Sequence, residues 1–277
     1  IQNSISILPP YSAFCIYYWL QRNFGELKKI NPINRLSGGI EIWNLIKQIG
    51  YNPIGKVFFE IGTGWIPIIP LSYWLMGAKK TITIDLNNYF KRELLKETIK
   101  YVSVNKNEIQ DLFGSLLIEK RFNELITYYS ENNFTKNSFL DLCSIDYIAP
   151  GNASETNLES KSIDFHTSYA VFEHIRPKDI SLILKEGNRI ITDTGLFIHK
   201  IDYKDHFSYS DNKISSINFL QYSDEEWKRY AGNNYMYMNR LRHDDFINLF
   251  RSAGHQILES NILTDKEILS LLRTGKI

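Results

Sequence analysis

Val57-Phe58-Phe59-Glu60-Ile61-Gly62-Thr63-Gly64-Trp65-Ile66-Pro67 is the stretch from which the rest of the chain can be placed. A short apolar run that stops in a glycine turn reads as a buried strand of a parallel sheet. Glycines at 62 and 64 let the backbone take positive φ and let a ligand come close, with no Cβ in the way. An apolar helix is expected over Ile66 to Met76, with Pro67 near its start, where a missing N–H costs little. A second strand follows, Thr81-Ile82-Thr83-Ile84, and it ends in Asp85. Strand, glycine turn, helix and strand-end carboxylate together make a nucleotide-type half-site: the turn faces the middle of a ligand and the acid accepts hydrogens from ribose hydroxyls. Glu60 adds to this, because an acid at the end of a buried strand needs a partner, and a cationic or amine-bearing ligand supplies one.

The run Glu60-Ile61-Gly62-Thr63-Gly64 resembles motif I, (D/E)xGxG, of the class I S-adenosylmethionine-dependent methyltransferases. A second resemblance lies at Ser162-Ile163-Asp164-Phe165-His166-Thr167-Ser168-Tyr169-Ala170-Val171-Phe172-Glu173-His174-Ile175, which is similar to the family's motif IV strand and the Glu-His turn after it. The resemblance covers roughly residues 55–260. It implies an α/β fold, a doubly wound, mostly parallel sheet closing on an antiparallel final strand, with Gly254 to Glu259 as that strand. It implies S-adenosyl-L-methionine as cofactor, S-adenosyl-L-homocysteine as product, and cofactor contacts from Glu60, Gly62, Thr63, Gly64, Asp85, Leu86, Asn152, Ala153 and Tyr169. Two departures are visible. Trp65 or Ile66 stands where many members have a third glycine, and Asn152-Ala153 stands where an acidic-Ala pair usually meets adenine.

Outward from the organising stretch, residues 1–50 read as an N-terminal helical cap. One helix is expected over Tyr11 to Phe24 and another over Ile40 to Ile49, with Asn31 to Arg35 and Ser37-Gly38-Gly39 as loops. Residues 51–277 read as one Rossmann-like domain with insertions at about 105–137 and 202–242. Ser138 to Leu142 fits a short strand or a helix end, and Tyr147 onward passes into a polar loop. An amphipathic helix is expected over Lys178 to Ile191, a strand over Thr194 to Ile201, a last core helix over His243 to Ala253, and a terminal helix over Asp265 to Arg273.

In-line methyl transfer to a hydroxyl needs alignment and a proton acceptor, and histidine suits the second task because it titrates near neutrality. Of the six histidines, His206 is the leading candidate base. It follows a strand end, lies in the second insertion, and has Asp202 and Asp205 nearby. His174, beside Glu173, is the second candidate. In the insertion, Asp205, Tyr235, Arg240 and Arg242 are candidates for holding the acceptor, the arginines because a guanidinium grips carboxylate or phosphate with two bonds. No metal is expected, since the spacing of Asp202, Asp205 and His206 matches no recognised signature.

A chain of 277 residues, 43% hydrophobic and 14% aromatic, can fill a sizeable core. Its formal charge of +1 gives no electrostatic argument for a nucleic-acid partner. Cys15 and Cys143 are too few for a disulfide framework and read as small core residues. No run reaches the ~20 apolar residues that span a bilayer, and no secretory signal is read, so a cytoplasmic protein is expected. The expected activity is methyl transfer to a small-molecule or sugar-containing acceptor, at oxygen. The competing classes are a non-catalytic binding module of the same fold and an NAD-dependent oxidoreductase.

Overall fold

The computed structural model describes residues 5, 8–130, 134–209, 211–233, 237–263 and 269. The chain divides into two compact units, one of residues 20–169 and 182–200, the other of residues 1–19, 170–181 and 201–277.

The first unit carries the sheet. Its strands are β1 (Val57–Ile61), β2 (Lys80–Ile84), β3 (Ile145–Ile148), β4 (Ile163–Tyr169) and β5 (Ile191–Lys200). Every pairing is parallel, and the spatial order is β3-β2-β1-β4-β5. This is the doubly wound order that the sequence suggests. The direction of winding reverses between β1 and β4, and ligands of such sheets bind outside the carboxyl ends of the strands at that reversal.

β1 is buried because Phe58 is packed from several directions. Its ring lies 4.3 Å from Tyr73, 5.0 Å from Phe165 and 5.7 Å from Trp43. Trp43 comes from the helix Ile33–Gln48 and Tyr73 from the helix Ile68–Met76. The first of these corrects an expectation: Ser37-Gly38-Gly39 is not a loop but part of the helix. The glycines are there for space. A Cβ on Gly38 would stand 2.7 Å from the Tyr169 ring, and one on Gly39 only 1.7 Å from Ser72 Oγ. Local propensity marks glycine as a helix breaker, and close approach of two elements overrides it here.

β3 was not expected. Ile145-Asp146-Tyr147-Ile148 pairs with β2 alone and follows the helix Lys136–Leu142, which resolves the reading of Ser138 to Leu142 as a helix end. Asn105 to Phe134 forms the helices Lys106–Phe113 and Glu119–Ser130 joined by a 3-10 turn.

The second unit has its own small core of Phe219, Trp227, Ala231 and Met238, with Phe207 and Tyr222 against it. Trp227 sits on the helix Asp224–Ala231, which Ser223 caps by accepting the Glu226 N–H, and its indole N–H donates to the Met238 carbonyl at 3.0 Å. The helix His243–Ser252 follows. The antiparallel final strand expected over Gly254 to Glu259 is not formed, since residues 255–263 belong to no strand. The run has one β-branched residue, Ile257, and leaves Leu258 55% exposed, so it offers no apolar face to hold a ladder. The expected helix from Asp265 to Arg273 falls almost wholly outside the described residues. Cys143 is buried as expected, but Cys15 is exposed. No described helix is long and apolar enough to cross a membrane.

Candidate functional site

In the first unit the glycine turn is built as its sequence requires. Gly62 has φ +86° and Gly64 φ +65°, the left-handed region that L side chains rarely enter. The turn is pinned to the end of β2. Gly62 N–H donates to the Ile84 carbonyl at 2.9 Å, and Thr63 Oγ1 lies 2.6 Å from Thr83 Oγ1. Asp85 completes the link: Oδ2 accepts from Gly64 N–H at 2.8 Å and Oδ1 from Asn87 N–H at 2.9 Å. Partial burial raises the Asp85 carboxyl above its usual range, against the pull of those two N–H groups. Each oxygen keeps lone-pair capacity for a further donor.

The other cofactor candidates spread around this turn. Leu86 is exposed, directly after Asp85. Tyr169 ends β4, packs on Gly38, and lends its carbonyl to Arg35 at 3.4 Å. Asn152 uses its side-chain oxygen on Ser154, accepting from its N–H at 3.0 Å and its hydroxyl at 2.8 Å, while Ala153 beside it is buried. Trp65, in the place of a third glycine, stacks on Tyr89 at 4.8 Å.

Glu60 lies beneath the turn, 1% exposed. The parallel register sets it between Thr83 on β2 and Thr167 on β4. Thr167 Oγ1 donates to its carboxylate, and the Tyr73 hydroxyl reaches the same oxygen at 3.4 Å. Burial pushes the Glu60 carboxyl up to about 8, more than the bonds from Thr167 and Tyr73 and the charge of Arg35 pull it down. The sign of the resulting pH dependence follows. Between the ordinary value of 4.5 and about 8 the folded chain holds a proton that the unfolded chain has lost, so this group makes stability fall as pH rises across that window. Glu60→Gln is expected to remove that slope. Its thermal midpoint relative to the parent should rise between pH 5 and pH 9 by the equivalent of a few kcal/mol, at about 1.4 kcal/mol per pKa unit. Parallel melting curves at the two pH values check this, and equal slopes would assign the pH dependence elsewhere.

The second unit holds the acid–imidazole group. Glu173 and His174 lie on the 3-10 turn Phe172–His174, which Asn239 grips. Asn239 N–H donates to the Glu173 carbonyl at 2.8 Å, and its side-chain amide donates to the Phe172 and Ile175 carbonyls at 2.7 Å each. The turn brings His174 to His206, with ring centroids 4.8 Å apart. His206 Nε2 stands 3.5 Å from Asp202 Oδ2. Asp202 is held down to about 2: burial raises it, but the bonds from His206, Tyr209 and the Lys204 N–H outweigh that. Burial raises Glu173 to about 7 against the pull of nearby backbone N–H groups and of His206.

Three of the four residues expected to hold an acceptor make contacts within their own unit. Asp205 is fully buried, accepting from Phe207 N–H at 2.9 Å and Asn218 Nδ2 at 3.3 Å. Arg240 donates to the Phe219 carbonyl at 2.9 Å and also binds the Tyr222 carbonyl and Asp224. Arg242 donates to the Tyr203 carbonyl at 2.7 Å and lies over the Tyr203 and Phe219 rings. These three organise the insertion. Tyr235 lies outside the described residues. Asn239 is the residue that sequence reasoning missed.

No protein-family model and no curated protein matches the sequence. Among solved structures, a SAM-dependent methyltransferase from Methanosarcina mazei is similar at 14% identity, with 76% of this chain and 82% of that one covered and a TM-score of 0.43. A Haemonchus contortus phosphoethanolamine N-methyltransferase in complex with phosphomonomethylethanolamine and S-adenosylhomocysteine is similar at 12% identity, TM-score 0.43, covering 89% of this chain and 42% of that one. A geranyl diphosphate methyltransferase in complex with SAM shares 8% identity over 78% of this chain and 64% of that one, TM-score 0.43.

Proposed function

We propose that the protein binds S-adenosyl-L-methionine at the β1 turn and transfers its methyl group to a hydroxyl of a small-molecule or sugar-containing acceptor. The observation that carries the reading is the bond from Gly64 N–H to Asp85, which joins the carboxyl ends of β1 and β2. It fixes a glycine turn and a ribose-binding carboxylate as one unit. Gly62, Thr63 and Gly64 would line the methionyl side above Glu60. Asp85 and Leu86 would meet the ribose, Asn152 and Ala153 the adenine, and Tyr169 the region of the reactive methyl.

A dinucleotide fits this turn less well. Pyrophosphate sites put the glycine turn directly on a helix N-terminus, whose N–H groups hold the phosphate. Here Trp65, Ile66 and Pro67 intervene before the helix Ile68–Met76, Pro67 has no N–H, and Ile68 N–H is spent on the Ile66 carbonyl at 2.8 Å. A cofactor without phosphate asks for no such cradle.

The acceptor's proton is assigned to the group formed by Glu173, His174 and His206, with Asp202 behind His206. The near-zero net charge, +1, supports a small acceptor over a nucleic acid. Calorimetric titration with S-adenosylmethionine, S-adenosylhomocysteine and NAD tests the reading. Micromolar binding of both adenosyl ligands is the expected outcome. Binding of NAD alone would replace it with the oxidoreductase, and binding of none with a non-catalytic module.

A further inference from the structure

We propose that Glu173, His174 and His206 bind a divalent first-row transition-metal ion. One ligand atom from each lies within 4.8 Å of the others. An ion that held each at about 2.0–2.2 Å would draw the three inward by side-chain rotation.

Three separate features of the cluster point to an ion. First, Glu173 is 1% exposed, yet neither carboxylate oxygen has a well-formed hydrogen bond. A buried carboxylate in that condition is costly unless a cation compensates it. Second, His174 Nδ1 lies 2.9 Å from the Tyr237 carbonyl. A carbonyl can only accept, so Nδ1 carries the proton, and in the neutral ring Nε2 carries the lone pair a metal needs. Third, Asp202 stands against Nε2 of His206 at 3.5 Å. Such carboxylate and carbonyl partners orient metal-ligating imidazoles. Asn239 holds the turn that carries two of the three ligands, which preorganises the set.

The donor set chooses the ion. Two imidazole nitrogens and one carboxylate oxygen suit zinc, cobalt, nickel, iron or manganese, whereas magnesium and calcium prefer oxygen ligands. Glu173 is buried, His206 is half-buried and His174 is exposed, so the site has an open side where water or a hydroxyl could complete the coordination. A hydroxyl bound to such an ion ionises far more readily than a free one, and the imidazoles then serve as ligands while the ion promotes loss of the proton.

The test uses the full chain without a histidine tag, stripped with a chelator and free of any cofactor, so its outcome is independent of the methyltransferase reading. Zinc is titrated by calorimetry and cobalt by visible absorption. One ion per chain at micromolar Kd or tighter is expected, with cobalt bands in the visible. His174→Ala and Glu173→Gln should each weaken binding at least about tenfold, while His255→Gln should not. His174 is exposed, so His174→Ala reports even if Glu173→Gln fails to fold. Absence of stoichiometric binding by the parent chain, or unchanged affinity in His174→Ala, would overturn the proposal.

Discussion

Asp85→Ala is expected to weaken S-adenosylhomocysteine binding by a factor on the order of 100 or more while leaving the fold intact. The side chain does two things at once. It accepts the Gly64 and Asn87 N–H groups at 2.8 and 2.9 Å, and in the proposed complex it accepts the ribose hydroxyls. Hydrogen bonds to a charged acceptor contribute about 1.5–3 kcal/mol each, so losing two to the ligand already accounts for that factor. Releasing Gly64 adds to the loss, because the turn must then be ordered by the ligand itself. Asp85 is at the surface end of its strand, so water can reach the vacated N–H groups and global stability should change little. Asp85→Asn separates the two roles. Its amide keeps one acceptor and turns a donor toward a backbone N–H, so it should fall between parent and alanine variant. Calorimetry with S-adenosylhomocysteine, with circular dichroism as the control on folding, reads both. Undiminished affinity in Asp85→Ala would remove the ribose role and with it the cofactor assignment.

The features that were legible in the sequence are those whose cause is local. The Val57 to Gly64 run announces itself because strand and turn are written in adjacent residues, and Asp85 because it ends the next apolar run. The Glu173-His174 pair was visible as a motif. What stayed hidden depends on distant partners. Gly38 and Gly39 read as a loop until Tyr169 and Ser72 are seen against them. β3 is only four residues long with an exposed Asp146 in it, too short and too polar to show an alternation. Arg240 and Arg242 looked available for an acceptor because a sequence cannot show which carbonyls a guanidinium will reach, and in the fold they reach Phe219, Tyr222 and Tyr203. Asp205 is hidden for the same reason: it caps its own turn at Phe207. Asn239 had no signal at all, since its three bonds run to residues more than sixty positions earlier in the chain.

The strongest consequence of that long-range packing is at Gly39. Gly39→Ala is expected to lower the thermal midpoint by roughly 4–8 °C, a shift that corresponds to about 2 kcal/mol in a chain of this size class. Alanine in a helix interior normally gains about 1 kcal/mol over glycine, so the contact has to overcome that gain. It does so because the added Cβ would meet Ser72 Oγ at 1.7 Å and Ser72 Cβ at 2.8 Å, distances no rotamer change at alanine can relieve. Ser72 is fully buried and its hydroxyl donates to the Ile69 carbonyl at 2.6 Å, so turning it away would leave a buried polar group unpaired. The helices Ile33–Gln48 and Ile68–Met76 must therefore separate, and Trp43 and Tyr73, which flank Phe58 from those two helices, would separate with them. A double variant isolates the cause. Ser72→Ala in the Gly39→Ala background deletes the oxygen that clashes worst, so the pair should be less destabilised than the sum of the single changes. Additive losses in thermal melts would mean that the contact with Ser72 is not what destabilises Gly39→Ala.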